Sequence, residues 1–409
     1  MREGWKVAKL EDVAKVVNGG TPKTKVPEYW GGEHLWITPA EMGGLESPYI
    51  ESSRRSLTDA GLKNSSASLL PRNSVILSTR APIGHLVINA EPMAFNQGCR
   101  GLIPRGEAHY KYLYYFLYSS VNLLNDLGSG TTFKELSAGK LKKVEVPLPP
   151  LPEQKRIVAI LDEAFAGIAT AVANTEKNLA NARELFESYL NAVFSRRGEG
   201  WAARRLDEVC GISSKLVDPR APQYRGMRHV GAGNIVSMTG ELIDVQTAEQ
   251  EGLKSGKFLF DESMVLYSKI RPYLMKAARP TFSGLCSADI YPLEPYPGLM
   301  SKDFLYYLLL SKSFTDFAIA GSARAGMPKV NREHLFSYKA AVPGIERQKA
   351  LAQELDSVAN ETSKLESIAR QKLESLTELK NSLIKKAFSG ELTAGKAASD
   401  AMRQVEEIA

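Results

Sequence analysis

Cysteine is scarce in this chain. The three in 409 residues, Cys99, Cys210 and Cys286, lie far apart with no CxxC pair, which argues against a disulfide framework and a cysteine-based zinc site. Structural thiols in a reducing compartment are the plainer reading. Histidine is equally sparse: His34, His85, His109, His229 and His334 share no metal-ligand spacing, so no metal is expected. No run of about 18 uncharged apolar residues occurs, and Met1 leads into Arg2, Glu3 and Lys6 instead of an apolar leader. Neither a membrane span nor a secretion signal is expected, and the protein is placed in the cytoplasm.

Catalytic motifs are missing too. Methylation of an adenine amino group needs an Asn/Asp-Pro-Pro-aromatic motif and a glycine-rich cofactor turn. The single Pro-Pro, Pro149-Pro150, stands between Leu148 and Leu151 and cannot serve. The segment GLKSGKF (252–258) is one residue short of a phosphate loop and has Phe258 where a hydroxyl would meet magnesium. The Glu378–Lys380 pair reads as solvated helix charge, not as part of a nuclease centre. No active site and no cofactor are expected.

What the chain does have is unevenly spread charge. The net charge of +6 divides into +4 over 1–150, −1 over 151–200, +4 over 201–344 and −1 over 345–409. Two nucleic-acid-contacting domains joined by near-neutral connectors would look like this, although an excess of this size also fits ordinary fluctuation.

The sequence also repeats itself. Trp5, Leu10, Glu11, Asp12 and Val13 match Trp201, Leu206, Asp207, Glu208 and Val209 at an offset of 196, and LYYFL (113–117) matches LYYLL (305–309) at 192. Gln154, Lys155, Asp162, Leu179, Leu185, Ser188, Phe194 and Ser195 match Gln348, Lys349, Asp356, Leu373, Leu379, Ser382, Phe388 and Ser389 at 194. The order is globular, helical, globular, helical.

The helical segments are marked by what they exclude. After Pro152 there is no proline and one glycine, Gly167, as far as Arg197; from Glu346 to Ser389 there is neither. Apolar residues recur every three or four positions, as in Ile157, Leu161, Ala164 and Ile168, or Leu351, Leu355 and Val358. Prolines precede each segment, and Gly198 and Gly390 follow. Some 45 residues make a rod of roughly 65 Å. Such a helix cannot bury its stripe alone, so the two are expected to pair as an antiparallel coiled coil. The globular segments carry short β-rich runs, SVILSTR (74–80), HLVINA (85–90) and SMVLYSKI (263–270), between Gly/Pro/Asn-rich turns, with helix-like runs at 110–125 and 303–319. The fold class is α+β: two mixed domains separated by two long helices, a pseudo-twofold tandem repeat. Its boundaries fall at 1–150, 151–198, 199–344 and 345–390, with a tail over 391–409 that is a short helix or frayed.

The motifs resemble the specificity subunits of Type I restriction-modification enzymes over essentially the whole chain. The carriers are PLPPLPEQKRIVAILDE (147–163) and its echo VPGIERQKALAQELDS (342–357), the helix ends VFS (193–195) and AFSGEL (387–392), NSVILSTRAPIGHLVI…NQG (73–98) and SKIRPYLMK…G…SAD (268–289). The resemblance implies that each globular domain is a target recognition domain reading one half of a bipartite double-stranded DNA sequence. The helices would set the unread spacer and dock adenine methyltransferase subunits through Glu153, Gln154, Lys155, Gln348 and Lys349. Restriction subunits would join that core, and this subunit would have no catalysis of its own. One departure is that the second junction lacks the double proline and has Arg347 where the first has Glu153.

DNA readout needs Arg or Lys for phosphates and guanine edges and Asn or Gln for adenine. In the first domain the candidates are Lys23 and Lys25 in the glycine-rich loop, Trp36 and Thr38 at a strand end, Arg80, Asn96 and Gln97, and Lys134 in GSGTTFK. In the second they are Arg225, Arg228, Asn234, Lys269, Arg271, Lys276, and Arg324 and Lys329 in GSARAGMPK. Arg80, Lys269 and Arg271 stand out because the repeat puts basic residues after a strand in both domains. The competing readings are a solvated surface charge at each position, a core role for Trp36, and for the whole chain a protein-interaction scaffold or a single-chain DNA-modifying enzyme with an unrecognised site.

Overall fold

The computed structural model describes residues 4–45, 47–130, 134–195, 200–213, 216–322, 328–394 and 403. The chain forms two compact units, Met1–Thr175 with Gln371–Ala409, and Glu176–Arg370. Each unit holds one globular domain and one end of each long helix, Leu151–Ser195 and Ile345–Ser389. Leu151–Ser195 carries Pro152 in its first turn, where a proline has no intrahelical bond to lose, and Ile345–Ser389 begins two residues after Pro343.

In the first unit the stripe Ile157, Leu161, Ala164, Ile168 and Ala171 alternates steps of four and three, and it packs on Leu376, Leu379, Leu383 and Ala387 of the second helix. That is heptad packing. In the second unit Leu351, Ala352 and Leu355 share a core with Leu190 and Val193. Arg183 meets Glu366 at 3.2 Å, and the Tyr189 hydroxyl donates to Glu354 at 2.9 Å. Within each unit the start of one helix therefore lies along the end of the other, which is antiparallel pairing. The apolar part of Leu151–Ser195 is long enough to span a membrane by composition. Its stripe is nevertheless covered by the partner helix, and Asp162 in the middle of it is engaged by Lys111 and Tyr115.

The first domain has a five-stranded sheet in the order Ala14–Asn18, Cys99–Pro104, Val75–Thr79, Ile83–Asn89, Tyr49–Ile50. A three-stranded sheet follows the order Arg55–Leu57, Trp30–Ile37, Met93–Phe95. The strand Val75–Thr79 is buried on both faces: Val75 and Leu77 meet Leu113 and Leu117, while Ile76 meets Val87 and Phe95. Residues alternating across a pleat reach both cores at once. A ribbon closes the domain at its base, pairing Lys6–Lys9 with Glu145–Leu148.

The second domain repeats this frame. Cys210–Ile212, Ile290–Pro295, Val265–Ser268 and Ala277–Ala278 form one sheet in that order, and Ala202–Arg205 pairs with Lys339–Val342 as the closing ribbon. In the other sheet Arg228–Val230 runs parallel to Gly284–Cys286, as Trp30–Ile37 does to Met93–Phe95. Here the domains diverge, because Lys257–Phe260 and Leu216–Val217 extend the second sheet beyond Gly284–Cys286.

The helical runs after each sheet differ from the single helices expected. Each is broken once, into Tyr110–Ser119 and Val121–Leu127, and into Lys302–Leu310 and Lys312–Ala320. The breaks fall at serines. Ser311 leaves helical geometry and accepts from the Phe314 amide, capping the next helix, and the Ser120 hydroxyl donates to the Phe116 carbonyl.

Two polar anchors tie each domain to its long helix, and they follow the repeat. Gln154 is fully buried: its amide donates to the carbonyls of Glu107 and Pro149 at 2.9 and 2.8 Å and accepts from the His109 amide at 2.8 Å. Gln348 does the same with Leu299, Pro343 and Ser301, at 2.9, 2.9 and 2.8 Å. About two helical turns further along, Asp162 accepts from Tyr115 (2.6 Å) and Lys111 (2.5 Å). Asp356 accepts from Tyr307 (2.6 Å) and, on the same oxygen, from Arg279 (2.7 Å), whose other nitrogen reaches Asp303 at 3.0 Å. Asp303 stands where the first domain has Lys111, so the cation has moved from the helix to Arg279, just past the strand Ala277–Ala278, while the tyrosine–carboxylate bond is kept. Asp356→Ala strips the acceptor from both donors. Because both partners of the ion pair keep partial solvent access, the expected loss is about 2 kcal/mol, below the range for a sealed pair. Urea unfolding of the second unit measures it, and a loss under about 0.5 kcal/mol would remove the anchor role.

Candidate nucleic-acid interface

In the first domain the candidate interface lies where the strand Val75–Thr79 leaves its sheet. The Thr79 amide donates to the Gly98 carbonyl (2.8 Å) and its carbonyl accepts from Leu136 (2.9 Å), while Arg80 bridges to Glu135, which pairs back to Ser129. The turn at 96–98, the strand exit at 79–81 and the paired residues Ser129 and Glu135 thus form one stitched rim. The glycine-rich loop joins it: Gly20 donates to the Phe95 carbonyl, and the Thr21 hydroxyl donates to Gln97. Gly19 is required there, because a Cβ would fall 2.0 Å from the Asn96 carbonyl oxygen.

The second domain carries the same rim. Lys269 donates through its amide to Asp289 (3.0 Å), the Val330 amide reaches the Lys269 carbonyl (2.8 Å), and Ile270 bridges to Lys329. Ala81 and Arg271, each followed by proline, both sit in the left-handed region, at φ 50° and 49°. Non-glycine residues occupy that region at a cost, and outliers of this kind gather at functional sites.

This ladder fixes the register between the domains. Thr79, Arg80 and Ala81 correspond to Lys269, Ile270 and Arg271, and Glu135 to Lys329. The sequence expectation that basic residues occupy equivalent points is thus corrected: Lys269 and Arg271 sit one position to either side of the rung that Arg80 occupies.

Several sequence candidates collect on these rims. Lys23, Lys25, Gln97 and Lys134 are exposed, and Arg80 is half-buried. Asn96 accepts from the Gly98 amide at 2.9 Å and shapes the turn. In the second domain Arg271 and Lys329 are exposed, with Lys329 3.1 Å from Asp289. Lys269 lies 5.3 Å from the Tyr291 ring centre, and burial lowers its pKa. Arg225 and Arg228 are exposed beside the second sheet, Arg225 donating to the Arg220 carbonyl and Arg228 lying 4.8 Å over Phe282. Arg324 lies outside the described residues.

Other candidates have local duties instead. Trp36 is 3% exposed, and its indole donates to the Gly20 carbonyl at 2.9 Å, so it is a core residue that supports the glycine loop. Thr38 caps Pro39–Met42 with its hydroxyl spent on Glu41 (2.9 Å). Asn234 closes its own loop through Gly231, Ile243 and Asp244, and Lys276 holds that loop through the Ala232 carbonyl at 2.8 Å. Of the expected docking residues, Gln154 and Gln348 are correspondingly buried anchors, closed to a partner. Glu153 accepts from the Thr393 hydroxyl, Lys349 pairs with Glu346 at 2.8 Å, and Lys155 is exposed.

Two rim residues had no signal in the sequence. The Arg100 side chain, 12% exposed, clamps the carbonyls of Gln97 and Cys99 at 3.0 and 2.9 Å and holds the turn from below. Tyr273, two residues past Arg271, is 52% exposed where its counterpart Ile83 is buried. Among the described residues no group of three or more His, Cys, Asp or Glu is placed to hold a metal ion. The cysteines are all buried and free, and burial pushes each thiol up to about 12, which makes them core residues.

Two copies of one α+β frame, each with a basic rim and each clamped to a shared helix pair, define a tandem recognition protein. The chain belongs to the Type I restriction modification DNA specificity domain family, whose pattern matches twice, over residues 2–179 and 198–375. It is 34% identical over 236 residues to the Type I restriction enzyme MjaIX specificity subunit of Methanocaldococcus jannaschii, a match covering 54% of this chain and 55% of that protein. With the Type I restriction enzyme EcoDI specificity subunit of Escherichia coli it shares 28% identity over 321 residues, 69% of this chain and 70% of the relative. The chain thus spans only about half the length of the first relative. A solved chain from a structure of type I R-M system assembly and conformational transition has the same fold, with a TM-score of 0.75 at 18% identity, over 96% of this chain and 99% of that one.

Proposed function

We propose that this protein is the DNA-recognition subunit of a Type I restriction-modification enzyme, in which each domain reads one half of a bipartite double-stranded target. The long helices set the unread spacer and dock adenine methyltransferase subunits, and restriction subunits join the assembly. The chain contributes binding and geometry, and its partners contribute the chemistry. One observation carries this reading: the two rims share a backbone frame rung for rung yet present different side chains, Arg80 against Ile270 and Glu135 against Lys329. Two different half-sites require a common scaffold with unlike faces. The exposed lysines Lys23, Lys25 and Lys134 supply the phosphate contacts that set register on the duplex.

The test is to express the chain with its methyltransferase partner and map modified adenines in the host DNA. The expected result is a motif of two defined halves around a gap of fixed length. The purified complex should bind that sequence with an affinity falling about 0.9 decades per decade of salt for each phosphate contacted. Modification without a two-part motif, or binding insensitive to salt, would overturn the proposal.

A further inference from the structure

We infer that Arg80 reads a guanine edge in one half-site, and that Ile270, on the same rung of the other domain, leaves the second half-site without that requirement. The inference rests on the DNA-reading role proposed above and assigns one residue of it. Arg80 is half-buried, yet its guanidinium has no hydrogen bond or ion pair among the described residues. None of its nitrogens is a sealed, unpaired donor, so the guanidinium opens to solvent from a half-buried stem and presents its donors at the rim.

Its placement is fixed from three sides. The backbone at 79–80 is held by Gly98, Glu135 and Leu136. The Arg80 side chain lies against Gly98, where a Cβ would come within 3.2 Å of Nε and 3.3 Å of Cγ. Glycine at 98 therefore makes the berth. A planar fork on a stem that lies against Gly98 suits the paired acceptors O6 and N7 of guanine, whereas the exposed lysines of the same rim are point charges suited to phosphate. On the equivalent rung Ile270 offers no donor. The nearest cations, Lys269 and Arg271, sit one position to either side of that rung, so the second rim has no guanidinium at the same place.

The experiment compares adenine-methylation maps and purified-complex binding for the wild-type assembly, Arg80→Ile (the repeat's own substitution) and Arg80→Lys. In Arg80→Ile, one guanine position of one half-site should relax, with discrimination there falling about tenfold to a hundredfold while the other half is unchanged. Arg80→Lys keeps the charge and loses the fork, so it should relax the same position. An unchanged motif in Arg80→Ile overturns the inference, as does full rescue by Arg80→Lys, which would mark a phosphate contact. Loss of all methylation with a lowered melting transition in both variants would mark a structural residue and equally overturn it. A wild-type assembly lacking any two-part motif fails the DNA-reading proposal itself, which separates the two failures.

Discussion

Gln348→Leu should lower the melting transition of the second unit by roughly 6–12 °C and leave that of the first unit in place. Leucine has nearly the volume of glutamine, so the substitution opens little space. Its cost is polar. The carbonyls of Leu299 and Pro343 lose their donor and the Ser301 amide loses its acceptor. The Pro343 bond is buried and the other two are partly so. A sealed orphan costs about 1–3 kcal/mol and a partly wetted one less, for a sum of about 3 kcal/mol. For a unit of this size each kcal/mol shifts the midpoint by about 2–4 °C. Gln154→Leu is the mirror experiment, acting on the first unit through Glu107, Pro149 and His109. Calorimetry of both variants measures it. Shifts below about 2 °C, or movement of the wrong transition, would remove the glutamines from their anchoring role.

Those glutamines also show where the sequence stops being readable. The long helices are legible because their evidence is local: no proline, almost no glycine, and a stripe such as Ile157, Leu161, Ala164 and Ile168 that only another helix can cover. Val75–Thr79 is legible for the same reason. Gln154 looks like any polar residue in a first helical turn, where solvent or a partner is the default company. Its actual partners, Glu107 and His109, lie more than 40 residues earlier, and nothing in their side chains announces the pairing. Likewise Lys6–Lys9 finds Glu145–Leu148 across the whole domain.

The rims fail in a subtler way. Ser78 and Pro82 align with Ser268 and Pro272, and the hydrogen bonds keep that register, yet it sets Arg80 opposite Ile270, so shared basic character after a strand does not mean a shared position. Trp36 and Thr38 qualify as candidates in the sequence by their place at a strand end. Whether the indole faces a groove or Gly20 is decided by the second sheet, which is assembled from residues far apart in sequence.

Inserting seven residues in each long helix, after Thr175 and after Arg370 where the two units divide, should lengthen the unread gap by about three base pairs and leave both half-sites unchanged. Seven residues add about 10.5 Å to a helix, and duplex DNA rises about 3.4 Å per base pair. The number is chosen for the stripe. The pairing of Ile157, Leu161, Ala164 and Ile168 with Leu376, Leu379 and Leu383 follows a heptad, and seven added residues carry it round by only about 20°. A four-residue insertion adds about 6 Å but turns the stripe by about 40°, so it tests packing as much as length. Insertion in one helix alone leaves the pair mismatched by two turns and should lower stability without giving a new gap. The readout is binding of the purified assembly to duplexes whose gaps differ by single base pairs, alongside the methylation map. Tight binding at the original gap by the doubly lengthened protein would show that the helices do not measure the spacer. Binding at the lengthened gap with methylation lost would separate the ruler from partner docking, because the methyltransferase contacts then require a spacing that DNA reading does not.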